Sequence, residues 1–164
     1  MKKIGRYMLI ALGVILVAIQ FIRPERNLSA SHSAHLRTSF PVPDSVEALL
    51  QVACYDCHSN ETRYPWYSNI QPVAWWLADH VEEGKQHLNF SEFTSRKLAV
   101  QHHKFEEIVE QVKEGEMPLQ SYTITHGDAR LSPQQQALLT SWAQAQMDAM
   151  KAQYPADSLI LRRR

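Results

Sequence analysis

Two cysteines and a histidine, Cys54, Cys57 and His58, stand in the order C-x-x-C-H, and the chain has no further cysteine. This spacing suits haem attachment, because two thiols on one short turn can add to the two vinyl groups of a single porphyrin. The adjacent imidazole is then close enough to bind the iron from one side. The motif therefore predicts one covalently bound haem c, attached through Cys54 and Cys57, with His58 as the proximal iron ligand.

Three other interpretations of the cysteine pair are weaker. A redox dithiol of the thioredoxin type would need a βαβ pattern around the motif, which the flanking sequence lacks. A closed zinc site would need two more nitrogen or sulfur ligands at regular spacing, and His58 follows Cys57 too closely to serve easily as one. A disulfide across so short a loop would leave His58 without a role.

Met117 is the favoured ligand for the second face of the iron. It follows Gly115 closely and precedes Pro118, and a proline disfavours helical geometry in the residue before it. A loop thioether can reach over a porphyrin, and His/Met ligation stabilises ferrous iron. The other methionines are poorer candidates, since they lie in the N-terminal leader or on the last predicted helix: Met1, Met8, Met147 and Met150.

Two alternatives to Met117 stay open. Any of several histidines would give a haem with two imidazole ligands: His80, His87, His102, His103 and His126. An open or water-bound sixth position is the other alternative.

The surroundings of the haem are also predicted from residue type. The second ring nitrogen of His58 needs an acceptor, and the Pro72 carbonyl, or a neighbouring one, is a natural candidate. Arg63 and Arg130 are possible partners of the haem propionates. Aromatic residues are candidates for the cavity wall: Trp66, Tyr67, Trp75, Trp76, Tyr122 and Trp142.

The N-terminus has the pattern of a membrane segment. Basic residues precede an uncharged, mostly aliphatic run over 7–22. Sixteen helical residues span about 24 Å, somewhat short of a bilayer core of about 30 Å. The following Arg23-Pro24-Glu25-Arg26 is a poor cleavage site, which favours an anchor over a signal peptide cleaved after Leu28-Ser29-Ala30. The basic N-terminus predicts a single-pass protein of the cytoplasmic (inner) membrane with its haem domain on the periplasmic side.

The pattern of the remaining chain predicts an all-α fold with long loops, resembling a cytochrome c-like single-haem domain. We predict an anchor over 1–26, a tether over 27–43, a haem-binding domain over 44–155 and a basic tail over 156–164. Helices are expected from Asp44 or Ser45 to Cys54, over 73–83 with Gly84 as its stop, over 95–113, and from Ser132-Pro133 to Tyr154-Pro155. Residues 120–131 are expected to be irregular.

The formal net charge of zero conceals an acidic body. Residues 44–155 hold eight Lys and Arg against fifteen Asp and Glu, a net charge of −7. Such a surface argues against nucleic-acid binding and favours partner proteins with a positive docking face.

The order of these parts resembles the class I cytochrome c plan, in which the first and last helices pack beside the haem. The stretch from Cys54 through Ser59-Asn60-Glu61-Thr62-Arg63-Tyr64-Pro65-Trp66-Tyr67 resembles the bacterial haem-binding domain family more closely. The similarity continues in Asn69-Ile70-Gln71-Pro72, Trp75-Trp76, His87-Leu88-Asn89-Phe90-Ser91 and Gly115-Glu116-Met117-Pro118-Leu119, so that it covers about residues 40–145. The resemblance implies an exported or membrane-anchored single-haem domain and says little about a reaction.

The leading functional hypothesis is a one-electron carrier that exchanges electrons with redox partner proteins of the respiratory chain. The alternative is a haem enzyme or small-ligand sensor with an open or displaceable sixth position, for which His126 is a candidate acid/base group. A third hypothesis is an assembly module in which the haem is structural.

Overall fold

The computed structural model describes residues 2–162, and their secondary structure is helical. No β-strand occurs within this part of the chain, only one isolated antiparallel bridge between Leu28 and Glu61. The α-helices of this part, in chain order, are α1 Lys2–Ala18, α2 Asp44–Ala53, α3 Tyr55–His58, α4 Val73–His87, α5 Leu98–Glu114, α6 Gln120–Thr125 and α7 Pro133–Gln153. The prediction of an all-α chain is therefore confirmed.

Helix α1 is apolar and stands outside the folded domain. With the 3₁₀ turn Ile19–Phe21 that follows it, it forms a run of 19 residues, Lys3–Phe21, none of which is buried. This run is long and apolar enough to cross a membrane. The predicted apolar N-terminal helix is thus confirmed as a helix that could span a bilayer.

Residues 27–43, which the sequence predicts to be a tether, are packed against the domain. The Asn27 side chain donates hydrogen bonds to the Ser59 carbonyl at 2.8 Å and to the Thr62 hydroxyl at 2.9 Å. Leu36 is completely buried, and Phe40 packs on the core. Apolar residues do not recur at helical spacing in this segment, because individual side chains attach it to the domain and no helical face packs against the core.

Helices α5 and α7 form the centre of the domain. Phe105 of α5 and Leu139 of α7 are completely buried, and the ring centroids of Phe105 and Trp142 lie 5.7 Å apart. The indole N–H of Trp142 donates to the Pro41 carbonyl at 2.9 Å, which ties α7 to the 27–43 segment. Helix α2 also contacts α7, as the cytochrome c plan requires of the first and last helices of the domain.

The C-terminal end of α5 and the N-terminal end of α7 match the sequence signals. Gly115 follows α5 with φ at 76°, a left-handed conformation that favours glycine. Ser132 caps α7 by accepting a hydrogen bond from the backbone N–H of Gln135, whose side chain accepts in return from the Ser132 N–H. This reciprocal pair is a capping box, with Pro133 at the first helical position.

Two of the expected boundaries are wrong. Gly84 does not end α4, which continues to His87. Residues 120–131 are not irregular, since they form α6 and a 3₁₀ turn, Gly127–Ala129. In both places a contact with another part of the fold determines the local structure. Gly84 packs against Cys57, and Tyr122 is hydrogen-bonded to Asp56.

The residues after α7 begin with a 3₁₀ turn, Ala156–Leu159, that packs against α5 with Leu159 buried. The first part of the predicted basic tail is therefore attached to the domain. Arg163 and Arg164 lie outside the described residues.

Candidate functional site

Helix α2 delivers the cysteine motif to a cavity inside the domain. Val46 and Leu50 of α2 are completely buried in the core, so the helix is fixed along one face. Cys54 breaks the helix with φ −129° and ψ −46°, and the short α3 carries Cys57 and His58. Both cysteines are free thiols.

The cavity has a volume of about 550 Å³ and brings the four predicted site residues together. Cys54, Cys57, His58 and Met117 all line it, although Met117 stands about sixty residues after the motif. Most of the remaining wall is contributed by α4, α5 and the loop after α5, and its apolar members include Leu50, Ala53, Leu88, Phe90, Ile108, Val112, Pro118, Leu119 and Leu139.

The orientation of His58 is set by α4. Its Nδ1 lies 2.9 Å from the Gly84 carbonyl oxygen and 3.0 Å from the Leu88 carbonyl oxygen. A carbonyl can only accept, so Nδ1 carries the proton and Nε2 keeps its lone pair for a metal. The sequence-based choice of the Pro72 carbonyl is therefore wrong, because the end of α4 and not its beginning reaches the imidazole.

The ionisation of His58 suits the same role. Burial lowers the pKa of His58 below its usual value, although the two carbonyl hydrogen bonds oppose this effect. The imidazole is therefore held neutral, which is the form that binds a metal ion.

Gly84 brings α4 into contact with the motif. A methyl group at its Cβ position would lie 2.7 Å from the carbonyl oxygen of Cys57 and 3.1 Å from the Cys57 Cβ. Only glycine permits this approach, and the same residue offers its carbonyl to His58. The sequence signal for this residue was a glycine in a helical pattern, which we interpreted as a stop and not as a packing position.

Met117 lies in a non-helical loop, as predicted. The backbone N–H groups of Glu116 and Met117 both donate to the Gln111 carbonyl, at 3.0 and 3.1 Å, after the left-handed turn at Gly115. These bonds fold the loop back over the end of α5, so that Met117 and Pro118 face the cavity.

The cavity separates the competing histidines into two groups. His80 and His87 line it. His102, His103 and His126 are not among the residues that line it within the described chain. His102 is buried on α5, with Nδ1 3.4 Å from Glu106, and His126 stacks on Tyr122 with ring centroids 4.1 Å apart.

Asp56, between the two cysteines, joins the motif to the loop beyond Met117. It is 6% exposed, accepts from Nε of Arg63 at 3.1 Å, and accepts from the hydroxyl of Tyr122 at 2.7 Å. The Tyr122 hydroxyl also lies 3.2 Å from the Val52 carbonyl. Burial, and next the bond to Asp56, raise the pKa of Tyr122 above its usual value, so this donor stays protonated.

These bonds explain why residues 120–125 are helical. Tyr122 lies on α6 and also lines the cavity, so its bond to Asp56 places α6 against the motif. The sequence showed the Asp56 carboxylate and the Tyr122 phenol but did not indicate that they meet.

Most of the other predicted cavity residues lie elsewhere. Of the six aromatic candidates, Tyr122 alone is in the cavity wall of the described chain. Trp142 belongs to the core, and Trp66 is 75% exposed. Arg63 is engaged with Asp56, and Arg130 donates to the Thr123 carbonyl at 3.1 Å.

The thiols are held protonated in the chain without haem. Burial raises the pKa of Cys54 to about 12, with a smaller contribution from Cys57. Burial also raises the pKa of Cys57 to about 11, with the Asp56 charge as the second cause.

Acidic side chains stand at the cavity. Glu83 of α4 and Glu107 and Glu110 of α5 contribute to its wall, beside His80 and His87. They continue the acidic character of the domain to the wall of the cavity.

The donor set and the shape of the cavity fit a haem. Volumes of about 300–1,000 Å³ with apolar walls are typical of cofactor sites. Two thiols, an imidazole with a free lone pair and a thioether are the groups that attach and ligate haem in c-type sites.

The comparison with protein families agrees with this geometry. The sequence model described as haem-binding domain matches residues 14–145. Comparisons with curated proteins and with solved structures gave no match. Because the match covers most of the chain, this protein belongs to the haem-binding domain family.

Proposed function

We propose that this protein is a membrane-anchored c-type cytochrome that carries single electrons outside the cytoplasmic membrane. The observation that carries the proposal is the convergence of Cys54, Cys57, His58 and Met117 on one cavity. A haem iron supplies one-electron chemistry by alternating between its ferric and ferrous forms. The roles of the chain are to attach, ligate and enclose the haem.

Cys54 and Cys57 would attach the haem, and His58 and Met117 would ligate its iron. Each thiol would form one thioether bond, in which the S–H adds across a vinyl double bond without a leaving group. The Gly84 and Leu88 carbonyls hold the His58 ring in the ligating tautomer. A thioether on the other side favours the ferrous state and raises the reduction potential.

The position of His126 does not support the catalytic alternative in the form that the sequence predicted. A haem enzyme needs an acid/base group on the open side of the iron, and His126 was the candidate for this role. Within the described chain His126 is not in the cavity wall, whereas Met117 is. His80 lines the cavity and is the competing ligand to Met117.

The proposed location is supported by the basic N-terminus, and the proposed partners are supported by the acidic cavity wall. The basic N-terminus and the apolar α1 support an anchor in the inner membrane with the haem domain in the periplasm. The acidic wall of the cavity supports docking to a redox protein with a basic face. We propose respiratory proteins as these partners.

Covalent attachment is tested by producing the chain with haem attachment machinery and measuring its mass after denaturation. We expect the mass of the polypeptide plus one haem. The Cys54→Ser/Cys57→Ser variant should lose this addition, while Ser45→Ala, outside the motif, should keep it. Release of all haem by acid solvent extraction of the wild type would contradict the proposal.

Electron carriage is tested with the same material. We expect the ferrous protein to bind carbon monoxide at most slowly, because Met117 fills the second axial position. Rapid binding of carbon monoxide by the native ferrous protein would instead support an enzyme or a sensor.

A further inference from the structure

The haem domain carries an exposed apolar face that neither the core nor the cavity uses. Four large apolar residues within eleven positions form it, with exposed fractions of 75% for Trp66, 45% for Ile70, 36% for Val73 and 45% for Trp76. In the described chain none of the four lines the cavity or belongs to the core. Neighbouring exposed side chains of this size indicate an interaction surface.

Gln71, inside this exposed apolar face, is hydrogen-bonded to the end of the apolar N-terminal run. Its backbone N–H donates to Oε1 of Gln20 at 2.9 Å, and the Gln20 side chain donates to the Gln71 carbonyl at 3.3 Å. The Gln71 side chain donates to the Ile22 carbonyl at 2.7 Å, and Gln71 is 4% exposed. The exposed apolar face therefore begins where the apolar helix ends.

The length of this helical run determines the depth of that junction. Nineteen residues, Lys3–Phe21, rise about 28 Å, close to the hydrocarbon thickness of about 30 Å. If the run spans a membrane, Gln20 and Ile22 lie at its outer interface. The hydrogen bonds to Gln71 then hold Ile70 and Val73 at nearly the same depth.

The residue types beside the junction match a membrane interface. Tryptophan is enriched there, since its ring is apolar and its N–H is polar. Arg23 and Arg26 are exposed next to the face, with Glu25 as the acidic residue between them. Arg26 is held by Asn69 at 2.6 Å and lies 4.9 Å from the Tyr64 ring centroid. Arginines at this depth can pair with lipid phosphates.

We propose that the exposed apolar face rests in the interfacial layer of the membrane that α1 spans. The inference rests on the membrane anchor of the proposed function. It gives the haem domain one fixed orientation on the bilayer. The rings of Trp76 and His80 lie 4.2 Å apart, and His80 lines the cavity. Docking therefore holds one wall of the haem site near the membrane surface, where a membrane-bound redox partner would meet it.

Spin labels on single cysteines of the full-length holoprotein test this orientation. Both native thiols are consumed by the haem, so one added cysteine carries the label. Trp66→Cys and Ile70→Cys report the exposed apolar face, and Leu12→Cys reports the centre of the anchor. Ser141→Cys, exposed on α7, is the matched aqueous control. A native haem spectrum establishes that each variant is folded.

The readout is the accessibility of each label to oxygen relative to a water-soluble nickel chelate, in vesicles of phosphatidylcholine and phosphatidylglycerol. We expect the highest ratio at Leu12, intermediate ratios at Trp66 and Ile70, and a ratio several-fold lower than these at Ser141. If Trp66 and Ile70 match Ser141 while Leu12 is shielded from water, the docking is wrong and the anchor stands. If the Leu12 label is also in water, the anchor itself is wrong, and the docking fails with it.

Discussion

Gly84 packs so closely against Cys57 that a methyl group on it would lie 2.7 Å from the Cys57 carbonyl oxygen. The same glycine accepts a hydrogen bond from His58 through its own carbonyl. One residue of α4 thus sets both the distance between that helix and the attachment motif and the direction of the proximal imidazole.

Substitution Gly84→Ala is expected to destabilise the protein and disturb the haem site. Overpacking of a close contact costs about 1–3 kcal/mol, while alanine recovers about 1 kcal/mol as the better helix former. Since the obstructing atoms are backbone, α4 must move away from Cys57, which lengthens the bond from His58 to the Gly84 carbonyl. Urea unfolding and the visible spectrum of the holoprotein measure the two effects.

Gly127→Ala is the control for this substitution, because its Cβ position has no neighbour within 4 Å. It should leave stability and spectrum close to those of the wild type. Equal behaviour of the Gly84 and Gly127 variants would show that the close approach of α4 has no importance for the site.

Tyr122→Phe is expected to weaken the attachment of the Met117 loop. Loss of the 2.7 Å bond from Tyr122 to the Asp56 carboxylate removes a hydrogen bond to a charged, buried acceptor, at a cost of about 1–3 kcal/mol. The loop after α5 then opens more easily, so the methionine–iron band in the ferric spectrum should disappear at a lower pH than in the wild type. A pH titration of that band is the measurement.

Tyr64→Phe provides the matched comparison, since it removes a phenol that accepts from the Asn27 N–H at 2.8 Å, away from both α6 and the cavity wall. Its titration should follow the wild type. A Tyr122 variant that titrates like the Tyr64 variant would remove the proposed link between Asp56 and the loop.

The thiols of the folded chain without haem are expected to react slowly with iodoacetamide at neutral pH. Burial raises the pKa of Cys57 to about 11 and that of Cys54 to about 12, whereas a free cysteine has a pKa of about 8.5. At pH 8 the reactive thiolate fraction should be about two-hundred-fold below that of a free thiol for Cys57 and about two-thousand-fold below it for Cys54, and it should rise with pH.

The same shifts predict a loss of stability in alkali. The folded chain holds its thiol protons more tightly than the unfolded chain, so the free energy of unfolding is unaffected below about pH 8.5. It should fall as the pH rises from there towards 11.

Alkylation at the free-cysteine rate in a sample shown to be helical by circular dichroism would contradict the burial of the thiols.

The features that could be predicted from the sequence are those with a local signal. The start of α7 at Ser132-Pro133, the end of α5 before Gly115 and the helix ending at Cys54 each depend on a few neighbouring residues. The C-x-x-C-H motif is local as well, because one turn of chain has to present both thiols and the imidazole.

The features that could not be predicted are those that a distant contact determines. Gly84 does not end α4. A glycine is needed there because α4 packs closely against Cys57, a residue of another element. The 27–43 segment has no apolar period, yet Asn27 and the buried Leu36 fix it in place. Residues 120–125 have weak helix signals, and Tyr122 holds them through Asp56. Such pairings join positions 27 to 66 residues apart, and neither partner indicates the other.

The most direct measurement of the central claim is the ferric visible spectrum of the holoprotein and of Met117→Leu. The substitution keeps the volume of the side chain and removes the sulfur. We expect a six-coordinate, low-spin wild type with the weak long-wavelength methionine–iron band, which Met117→Leu loses. Met147→Leu, a buried core methionine of α7, and His80→Ala should both retain it. A low-spin spectrum that Met117→Leu leaves unchanged and His80→Ala disrupts would contradict the assignment and identify His80 as the second ligand.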